Sequence, residues 1–240
     1  MPRRELTILF PAYNESRRIV STLESAFEWA RGRIDDFEVI VVDDGSSDGM
    51  AELVRAKFGD MVRLVRREER GGKGAAIRTG VEHATKPWIL FSDADHSIPF
   101  TEFEGLWSQA GTAPIVIGSK RAPGGHLEYP PLRRFLGGIG QQLIALCVVS
   151  GFHDTQCGFK LYRTDVAKEL FRWQRIGGFG FDFEVLMLAK RQGFAVREVP
   201  IHCEHKIGGS VRLRTYLTVL GEVARIRWNL LLRRYPKTRS

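Results

Sequence analysis

The chain has 240 residues, of which 43% are hydrophobic and 27% are charged. This length suits one α/β domain with a full core, and two independent domains would be cramped. Three cysteines without a CxxC pair disfavour a zinc site or a disulfide framework, so we expect a reducing, cytosolic setting. No apolar run approaches the roughly 20 residues of a membrane span, and the N-terminus lacks a signal-peptide pattern. An integral membrane protein is therefore not expected.

The net charge of +8 is unevenly distributed. From Arg212 to Ser240 the sequence has eight Lys and Arg residues against one acid, Glu222, a net charge of +7. Clustered cations bind anionic lipid or nucleic acid, and a solvated basic helix is the plainer alternative. Because no RNA-stacking motif such as an RRM signature is present, we expect a lipid surface and no nucleic acid.

The first half alternates between short apolar runs, which predict strands, and stretches with apolar residues on one helical face. The expected strands are residues 6–10, 37–42, 61–65, 88–92 and 115–118. Helical patterns follow the first three strands, and Ser47 or Asp48 is the expected N-cap of the second helix. This alternation predicts an α/β fold with a mostly parallel sheet flanked by helices, whose ligands bind beyond the carboxyl ends of the strands.

The second half has a different character. A Gly- and Pro-rich loop follows Arg121, a helix is predicted over residues 132–149, and the chain ends in a long amphipathic pattern. No internal repeat is present, which excludes a solenoid. We expect one domain over residues 1–211, with a nucleotide half to about residue 121 and an acceptor half after it. A basic amphipathic helix and tail would occupy residues 212–240.

Two carboxylates follow the predicted strand 88–92 in the motif SDADHS. Alternation along an extended segment points Asp93 and Asp95 in the same direction. Two close carboxylates repel each other unless a cation joins them, and Mg²⁺ or Mn²⁺ held by carboxylates and substrate phosphates meets this need. A turn formed by acidic residues is the alternative, since a DxD motif alone is weakly specific.

Three further motifs suit a nucleotide. Asp43 and Asp44 end a buried strand, where a carboxylate can accept hydrogen bonds from a base or a ribose. PAYNE, residues 11–15, either offers an aromatic ring and polar groups to a nucleoside or is a plain loop. RGGKGAA, residues 70–76, offers backbone amides and Lys73 to a phosphate, although it is not a P-loop.

Cations in the second half suit phosphate groups. Arg133 and Arg134 are candidates for the acceptor phosphate, because guanidinium groups match phosphate oxygens. Contact with lipid head groups is an equal alternative for both. Lys206 and Arg212 lie in a Gly-rich segment that could close over a pyrophosphate.

The order and spacing of PAYNE, DDGSSD, GGKGAA and DAD resemble those of the inverting glycosyltransferases of family two, which have the Rossmann-like fold called GT-A. DTQCGFK (154–160) and GSKR, which ends at Arg121, resemble the dolichyl-phosphate sugar synthases of that family, in particular the glucosyl branch. The resemblance covers residues 5 to 215. The first four motifs are also shared by family members that make polysaccharides.

The resemblance implies roles for individual residues. Those that would contact the donor nucleoside are Pro11, Tyr13, Glu15, Asp43 and Asp44. Asp93 and Asp95 would bind the metal, with Ser97 as a third ligand at a position where the mannosyl branch often has glutamine. The donor diphosphate would thereby be held through the metal and the cations named above.

Asp95, Arg121 and Asp182 are the expected catalytic residues. Arg121 would also contact the acceptor phosphate, and Lys120 is the alternative cation because GSKR departs from the simpler GSR pattern. Asp182 falls at a predicted helix start, where an acid also satisfies free backbone amides. It would act as a base or only orient the acceptor.

The resemblance implies transfer of a hexose, with inversion, from a nucleotide-diphosphate sugar to a polyprenyl or dolichyl phosphate. UDP-glucose is the preferred donor and GDP-mannose the second. The enzyme would use Mg²⁺ or Mn²⁺ and act as a peripheral protein on the cytoplasmic face of a membrane. A family-two enzyme that glycosylates a polysaccharide or another sugar is the main alternative, and a non-catalytic nucleotide-binding module is a further one.

Overall fold

The structure is a computed structural model that describes residues 3–125, 131–203 and 213–237, with the backbone alone at 131–137, 139 and 213–216. Seven strands in these ranges form one sheet. They are β1 (Glu5–Ala12), β2 (Asp36–Asp43), β3 (Val62–Arg66), β4 (Trp88–Ser92), β5 (Ile115–Ser119), β6 (Phe159–Arg163) and β7 (Val196–Pro200). The five strands that the sequence predicts are confirmed within one or two residues, and β6 and β7 are additional.

Eight helices in the described ranges flank the sheet. They are α1 (Ile19–Ala30), α2 (Met50–Phe58), α3 (Lys73–His83), α4 (Phe103–Gln109), α5 (Pro131–Cys147), α6 (Thr164–Trp173), α7 (Phe181–Arg191) and α8 (Leu213–Leu231). Because alternate strand residues point to opposite faces, Ile8 and Phe10 pack with α1, α2 and α4, whereas Leu9 packs with α3, α6 and α7. Ile144 of α5 and Val223 of α8 belong to the same buried cluster as Leu9. The predicted α/β fold with helices on both faces is confirmed.

The strand order is β3-β2-β1-β4-β6-β5-β7. β6 is antiparallel to β4 and β5, and every other neighbouring pair is parallel. The carboxyl ends of the other six strands therefore lie at one edge, and β6 begins at this same edge. The register pairs Ser92 at the end of β4 with Phe159 at the start of β6. This pairing brings the DTQCGFK motif beside the DAD motif.

The start of α2 differs from the prediction. Gly49, with φ of 78°, is the N-cap residue, and neither Ser47 nor Asp48 occupies that position. Asp48 still bonds to the helix, since its Oδ1 accepts a hydrogen bond of 3.2 Å from the N–H of Met50. Its Oδ2 accepts one of 2.8 Å from the N–H of Ser16. Asp48 therefore ties α2 to the loop that follows β1.

The chain after residue 212 is attached to the rest of the domain by side chains around α7. Glu222 Oε2 on α8 accepts a hydrogen bond of 2.7 Å from the N–H of Gly180, which directly precedes α7. Beyond α8, the hydroxyl of Tyr235 donates to Glu184 Oε1 at 2.5 Å. The basic C-terminal helix thus packs on the start of α7, the helix that carries Asp182.

Candidate active site

Asp93 follows β4 at the carboxyl edge of the sheet. Its N–H donates to the carbonyl of Gly158 at 3.1 Å, and its Oδ1 lies 2.5 Å from Lys73 Nζ at the start of α3. Gly158 belongs to the DTQCGFK motif, and a Cβ added there would overlap the carboxylate of Asp93. The close approach of this carboxylate therefore requires a glycine at position 158.

Replacement of Gly158 with alanine should displace the carboxylate of Asp93 and lower kcat by roughly 10²-fold, the typical cost of a small misplacement in a catalytic site. The matched control is Gly111→Ala, because an added Cβ at Gly111 has no atom within 4 Å. Steady-state kinetics would measure kcat, and thermal unfolding would confirm that both variants fold. A Gly158→Ala enzyme with normal kcat would show that this position of Asp93 is not needed.

Asp95 lies in a turn, because β4 ends at Ser92. Strand alternation therefore does not set the relative direction of Asp93 and Asp95, since alternation requires an extended chain. Asp95 Oδ1 accepts a hydrogen bond of 3.0 Å from the N–H of Ser97, and His96 between them has φ of 50°. The turn, rather than the strand, positions Asp95 and Ser97.

Behind Asp93 lies a buried group of charged side chains. Asp182 on α7 is 2% exposed and forms an ion pair with Lys160 on β6, whose Nζ also donates to the carbonyl of Thr155 at 2.9 Å. Burial raises the pKa of Asp182 more than the charges of Lys160 and Lys73 lower it. Burial opposes protonation of Lys73, but the charges of Asp93 and Asp182 outweigh it and raise the pKa of Lys73. The two ion pairs are therefore electrostatically coupled.

Asp44 anchors the glycine loop that precedes α3. Its Oδ1 accepts a hydrogen bond of 2.9 Å from the N–H of Gly71, and its Oδ2 one of 2.7 Å from the N–H of Gly72. Arg67 Nε also donates to Oδ1 at 2.8 Å. A Cβ on Gly72 would overlap the carbonyl of Gly177, so the loop packs closely on the segment before α7. These contacts use most of the acceptor capacity of Asp44.

Asp43 has a different environment from Asp44. Its Oδ1 accepts a hydrogen bond of 2.8 Å from the N–H of Ser46. Its Oδ2 is buried, has no hydrogen-bond partner within the described ranges, and lies 3.6 Å from Arg66 Nε. Buried acceptors are normally satisfied, so this oxygen is suited to accept an N–H from a nucleobase.

The PAYNE loop lies beside these aspartates, since β1 pairs with β2 along its whole length. The guanidinium of Arg70 lies 3.9 Å from the ring centroid of Tyr13, at an exposed position. Glu15 accepts two hydrogen bonds from Arg18, of 2.7 and 2.8 Å, and burial raises the pKa of Glu15 despite this pair. Pro11 is partly buried within β1. Tyr13 is thus accessible to a ligand, whereas Glu15 is paired.

The GSKR and DTQCGFK motifs contact each other. Asp154 Oδ2 lies 3.3 Å from the backbone nitrogen of Lys120 and 3.8 Å from its Nζ. For Arg121, the structure gives a hydrogen bond of 3.3 Å from its N–H to Ser119 Oγ. Lys120 is thus paired with Asp154, and the choice of Arg121 as the phosphate-binding cation stays a prediction.

Four predicted site residues lie wholly or partly outside the described part of the chain. Lys206 and Arg212 lie outside the described residues, and so do the side chains of Arg133 and Arg134 on α5. Their roles in binding the diphosphate and the acceptor phosphate stay predictions.

Two cations that organise the site were not predicted from the sequence. Lys160 is fully buried and pairs with Asp182. The signal for it was a charged residue within the apolar run FKLY. Arg67 holds Asp44, but nothing in the sequence distinguishes it from the neighbouring arginines.

The oxygen ligands of Asp93, Asp95 and Ser97 are chemically suited to Mg²⁺ or Mn²⁺. Among residues 3–125, 131–203 and 213–237, no cluster of three or more His, Cys, Asp or Glu side chains could bind a metal ion. The described site therefore supplies two carboxylates, and these cations commonly complete their coordination with water and substrate phosphates. The ion pair of Asp93 with Lys73 shows that its carboxylate already accommodates a positive charge.

Sequence comparison identifies relatives over most of the chain. The profile described as glycosyl transferase family 2 matches residues 7–171. A dolichyl-phosphate beta-glucosyltransferase of Trichomonas vaginalis is 35% identical over 232 residues, which cover 86% of this chain and 68% of that protein. The dolichyl-phosphate beta-glucosyltransferase of Dictyostelium discoideum is 30% identical and covers 95% of this chain and 75% of that protein.

Solved structures share the fold. Glucosyl-3-phosphoglycerate synthase from Mycobacterium tuberculosis, in complex with Mn²⁺, UDP-glucose and phosphoglyceric acid, is 20% identical with a TM-score of 0.66 and covers 98% of this chain and 81% of that one. Mannosyl-3-phosphoglycerate synthase from Rubrobacter xylanophilus is 14% identical with a TM-score of 0.70 and covers 99% and 77%. Both confirm the GT-A fold. With its ordered motifs gathered at one sheet edge, this chain belongs to glycosyl transferase family 2 and is a glycosyltransferase.

Proposed function

We propose that this protein transfers glucose from UDP-glucose to a dolichyl or polyprenyl phosphate, with inversion at the anomeric carbon. The contact between Gly158 of DTQCGFK and Asp93 of DAD carries the proposal, because it joins the motif typical of lipid-phosphate enzymes to the donor-binding edge. The relatives named above are dolichyl-phosphate beta-glucosyltransferases, which favours glucose. They give no support to GDP-mannose, the second candidate donor.

The donor would bind across the loops that follow β1 and β2. Asp43 Oδ2, which accepts no hydrogen bond within the described ranges, would accept an N–H from uracil, and the exposed ring of Tyr13 can stack on the base. Asp44 would contribute indirectly, by holding the N–H groups of Gly71 and Gly72 at the start of α3. Lys73, the first residue of α3, would direct its charge toward the diphosphate.

Asp93 and Asp95, with Ser97, would hold Mg²⁺ or Mn²⁺ beside the diphosphate. When bound, such a cation neutralises charge that develops on the diphosphate leaving group. The described residues also supply positive charge independently of the metal. Lys73 adds a second positive charge at Asp93, and the glycine loop keeps Lys73 at the start of α3.

The acceptor phosphate would attack from the face opposite to the leaving group. A phosphate monoester is ionised near neutral pH, so little general-base assistance is needed. Asp182 is nearly inaccessible and paired with Lys160, which supports an orienting role over proton transfer. It would fix Lys73 and Asp93 through their coupled charges, so that positioning and charge neutralisation supply most of the acceleration.

We further propose that the enzyme is peripheral on the cytoplasmic face of a membrane. The described part of the chain has no helix that is long and apolar enough to span a bilayer. On α8, an exposed apolar stripe lies opposite the buried face, and its members are Leu217, Leu220, Trp228 and Leu231. Arg225 and Arg227 flank this stripe, a pattern typical of helices that lie in the interface.

The main alternative is transfer to a polysaccharide or another sugar. Incubation with UDP-glucose or GDP-mannose, and with a short polyprenyl phosphate, the matching polyprenol or a soluble sugar as acceptor, separates these functions. We expect a β-linked polyprenyl-phosphate glucose from UDP-glucose and the lipid phosphate. Equal transfer to the polyprenol or to the sugar would contradict the proposal. Absence of turnover with every pair would favour a non-catalytic nucleotide-binding module.

Neutralisation of Arg133 and Arg134 together, by glutamine, should lower lipid-phosphate transfer by roughly 10²-fold, since two charge-assisted contacts to the acceptor are lost. Hydrolysis of UDP-glucose by water should change little, because the donor site is retained. The matched control neutralises Arg31 and Arg55, two exposed arginines on the other side of the sheet. Product analysis would measure both reactions, and normal transfer by the Arg133/Arg134 variant would remove these residues from the acceptor site.

A further inference from the structure

A basic cavity of about 420 Å³ lies where α7 and α8 end. Its lining residues are Arg191, Leu230, Arg233, Tyr235 and Lys237. Three of them carry a positive charge at neutral pH, and none is acidic. The nearby carboxylate of Glu184 is engaged by two backbone N–H groups and by the hydroxyl of Tyr235. The cavity is therefore suited to an anion.

Arg191 supplies a second indication of a ligand. One terminal nitrogen of its guanidinium donates to the carbonyl of Pro236 at 3.3 Å. Its Nε is buried, and the described residues provide no acceptor for it. Buried donors are normally satisfied, so the guanidinium of Arg191, a residue that lines the cavity, retains capacity for a further acceptor.

The backbone of Arg233 supplies a third indication. Its φ of 53° lies in the left-handed region, where a glycine or asparagine is usual after a helix. Its N–H donates to the carbonyl of Leu230 at 3.1 Å, so this conformation belongs to the end of α8. Arg233 thus occupies a position that favours glycine, and its side chain lines the cavity.

Exposed apolar side chains lie near the cavity in sequence, at the end of α8 and in the turn after it. Trp228, Leu231 and Leu232 lie within one helical turn of Leu230, and their exposed fractions are 60%, 69% and 45%. Tryptophan and leucine beside cations are typical of surfaces that enter the head-group region of a bilayer. Arg191 is the last residue of α7 and Asp182 the second, so the cavity lies roughly 14 Å along the helix from the catalytic region.

We propose that this cavity binds the phosphate of an anionic phospholipid while Trp228, Leu231 and Leu232 enter the bilayer beside it. Charge complementarity with the three cations, together with the exposed apolar side chains at the end of α8, favours a lipid over a soluble anion. The site is separate from the acceptor phosphate, and it gives a specific membrane contact to the peripheral enzyme proposed above, on which this inference rests.

The test compares two variants of the full chain with equal loss of charge. Arg233→Gly/Lys237→Gln removes cations from the cavity, and glycine relieves the left-handed backbone, so its Tm should not fall. Arg225→Gln/Arg227→Gln is the matched control on the exposed surface of α8. Binding is measured with phosphatidylcholine vesicles that contain phosphatidic acid, or cholesteryl hemisuccinate at equal surface charge.

We expect the cavity variant to lose about ten-fold more affinity for phosphatidic acid vesicles than the control, because charge-assisted contacts are lost in addition to surface attraction. The two variants should bind hemisuccinate vesicles equally. Equal losses on phosphatidic acid would show non-specific attraction and overturn the inference. Binding of inorganic phosphate to the cavity, without this difference on vesicles, would identify a soluble-anion site and overturn the lipid assignment.

Glucosyl transfer to a short polyprenyl phosphate in detergent separates this inference from the proposed function. The cavity variant should retain transfer while its vesicle binding is weakened. If the natural sequence transfers glucose but both variants bind vesicles equally, only the lipid-binding role of the cavity is rejected. Absence of transfer by the natural sequence would reject the proposed function, whatever the vesicles show.

Discussion

Replacement of Asp95 with alanine should lower kcat by roughly 10³-fold, the upper range for loss of a group that stabilises charge in a transition state. The fold should be retained, because Asp95 lies in a turn outside the sheet. The substitution removes the hydrogen bond that the Asp95 carboxylate accepts from the N–H of Ser97. The loss should have the same origin as inhibition by EDTA, since both remove the divalent cation beside the diphosphate. Binding of Mn²⁺, measured by electron paramagnetic resonance, should weaken in parallel with kcat.

The matched control for Asp95→Ala is Asp60→Ala, which removes an exposed aspartate from the short helical turn before β3. We expect normal kcat and normal Mn²⁺ binding for this control. Full activity of the natural sequence in EDTA, or of the Asp95→Ala variant, would contradict the metal-dependent mechanism and leave Lys73 as the main cation at the diphosphate.

The position of the site could be predicted because it depends on local patterns. Apolar runs at 37–42 and 88–92 predict strands, and parallel strands place their carboxyl ends at one edge, so Asp43 and Asp93 can be assigned to the same edge without any knowledge of distant contacts. The orientations of the side chains that follow each strand are determined by turns. β4 ends at Ser92 and Asp95 lies in a turn, so strand alternation does not set the orientation of Asp95.

The partners of the site residues could not be predicted, since they come from distant parts of the chain. Asp44 binds Gly71 and Gly72 because α3 begins beside the end of β2, a packing relation that neither motif contains. DTQCGFK reaches Asp93 only because β6 is antiparallel to β4. DTQCGFK could be recognised in the sequence. The requirement for glycine at position 158 could not, because it depends on the direction of β6 relative to β4.

Removal of either partner of the Lys160–Asp182 pair should destabilise the protein by about 3–5 kcal/mol, because one buried charge is left unpaired. Both side chains are almost inaccessible, and burial already raises the pKa of Asp182. The matched control is Lys57→Met, which breaks an exposed ion pair of 2.7 Å with Glu24 and should cost less than about 1 kcal/mol. Urea unfolding would measure the free energies.

The double variant Lys160→Met/Asp182→Ala separates stability from catalysis. Loss of both charges should make it more stable than either single variant, since no buried charge remains unpaired. Its kcat should nevertheless be about 10- to 100-fold below normal, as expected when a group acts through neighbouring residues. Lys73 and Asp93 would lose the charges that fix them, so the affinity for UDP-glucose and for Mn²⁺ should fall with kcat. Normal kcat in a stable double variant would limit Asp182 to a structural role. A loss above about 10⁴-fold with unchanged donor and metal binding would instead indicate that Asp182 acts directly on the acceptor.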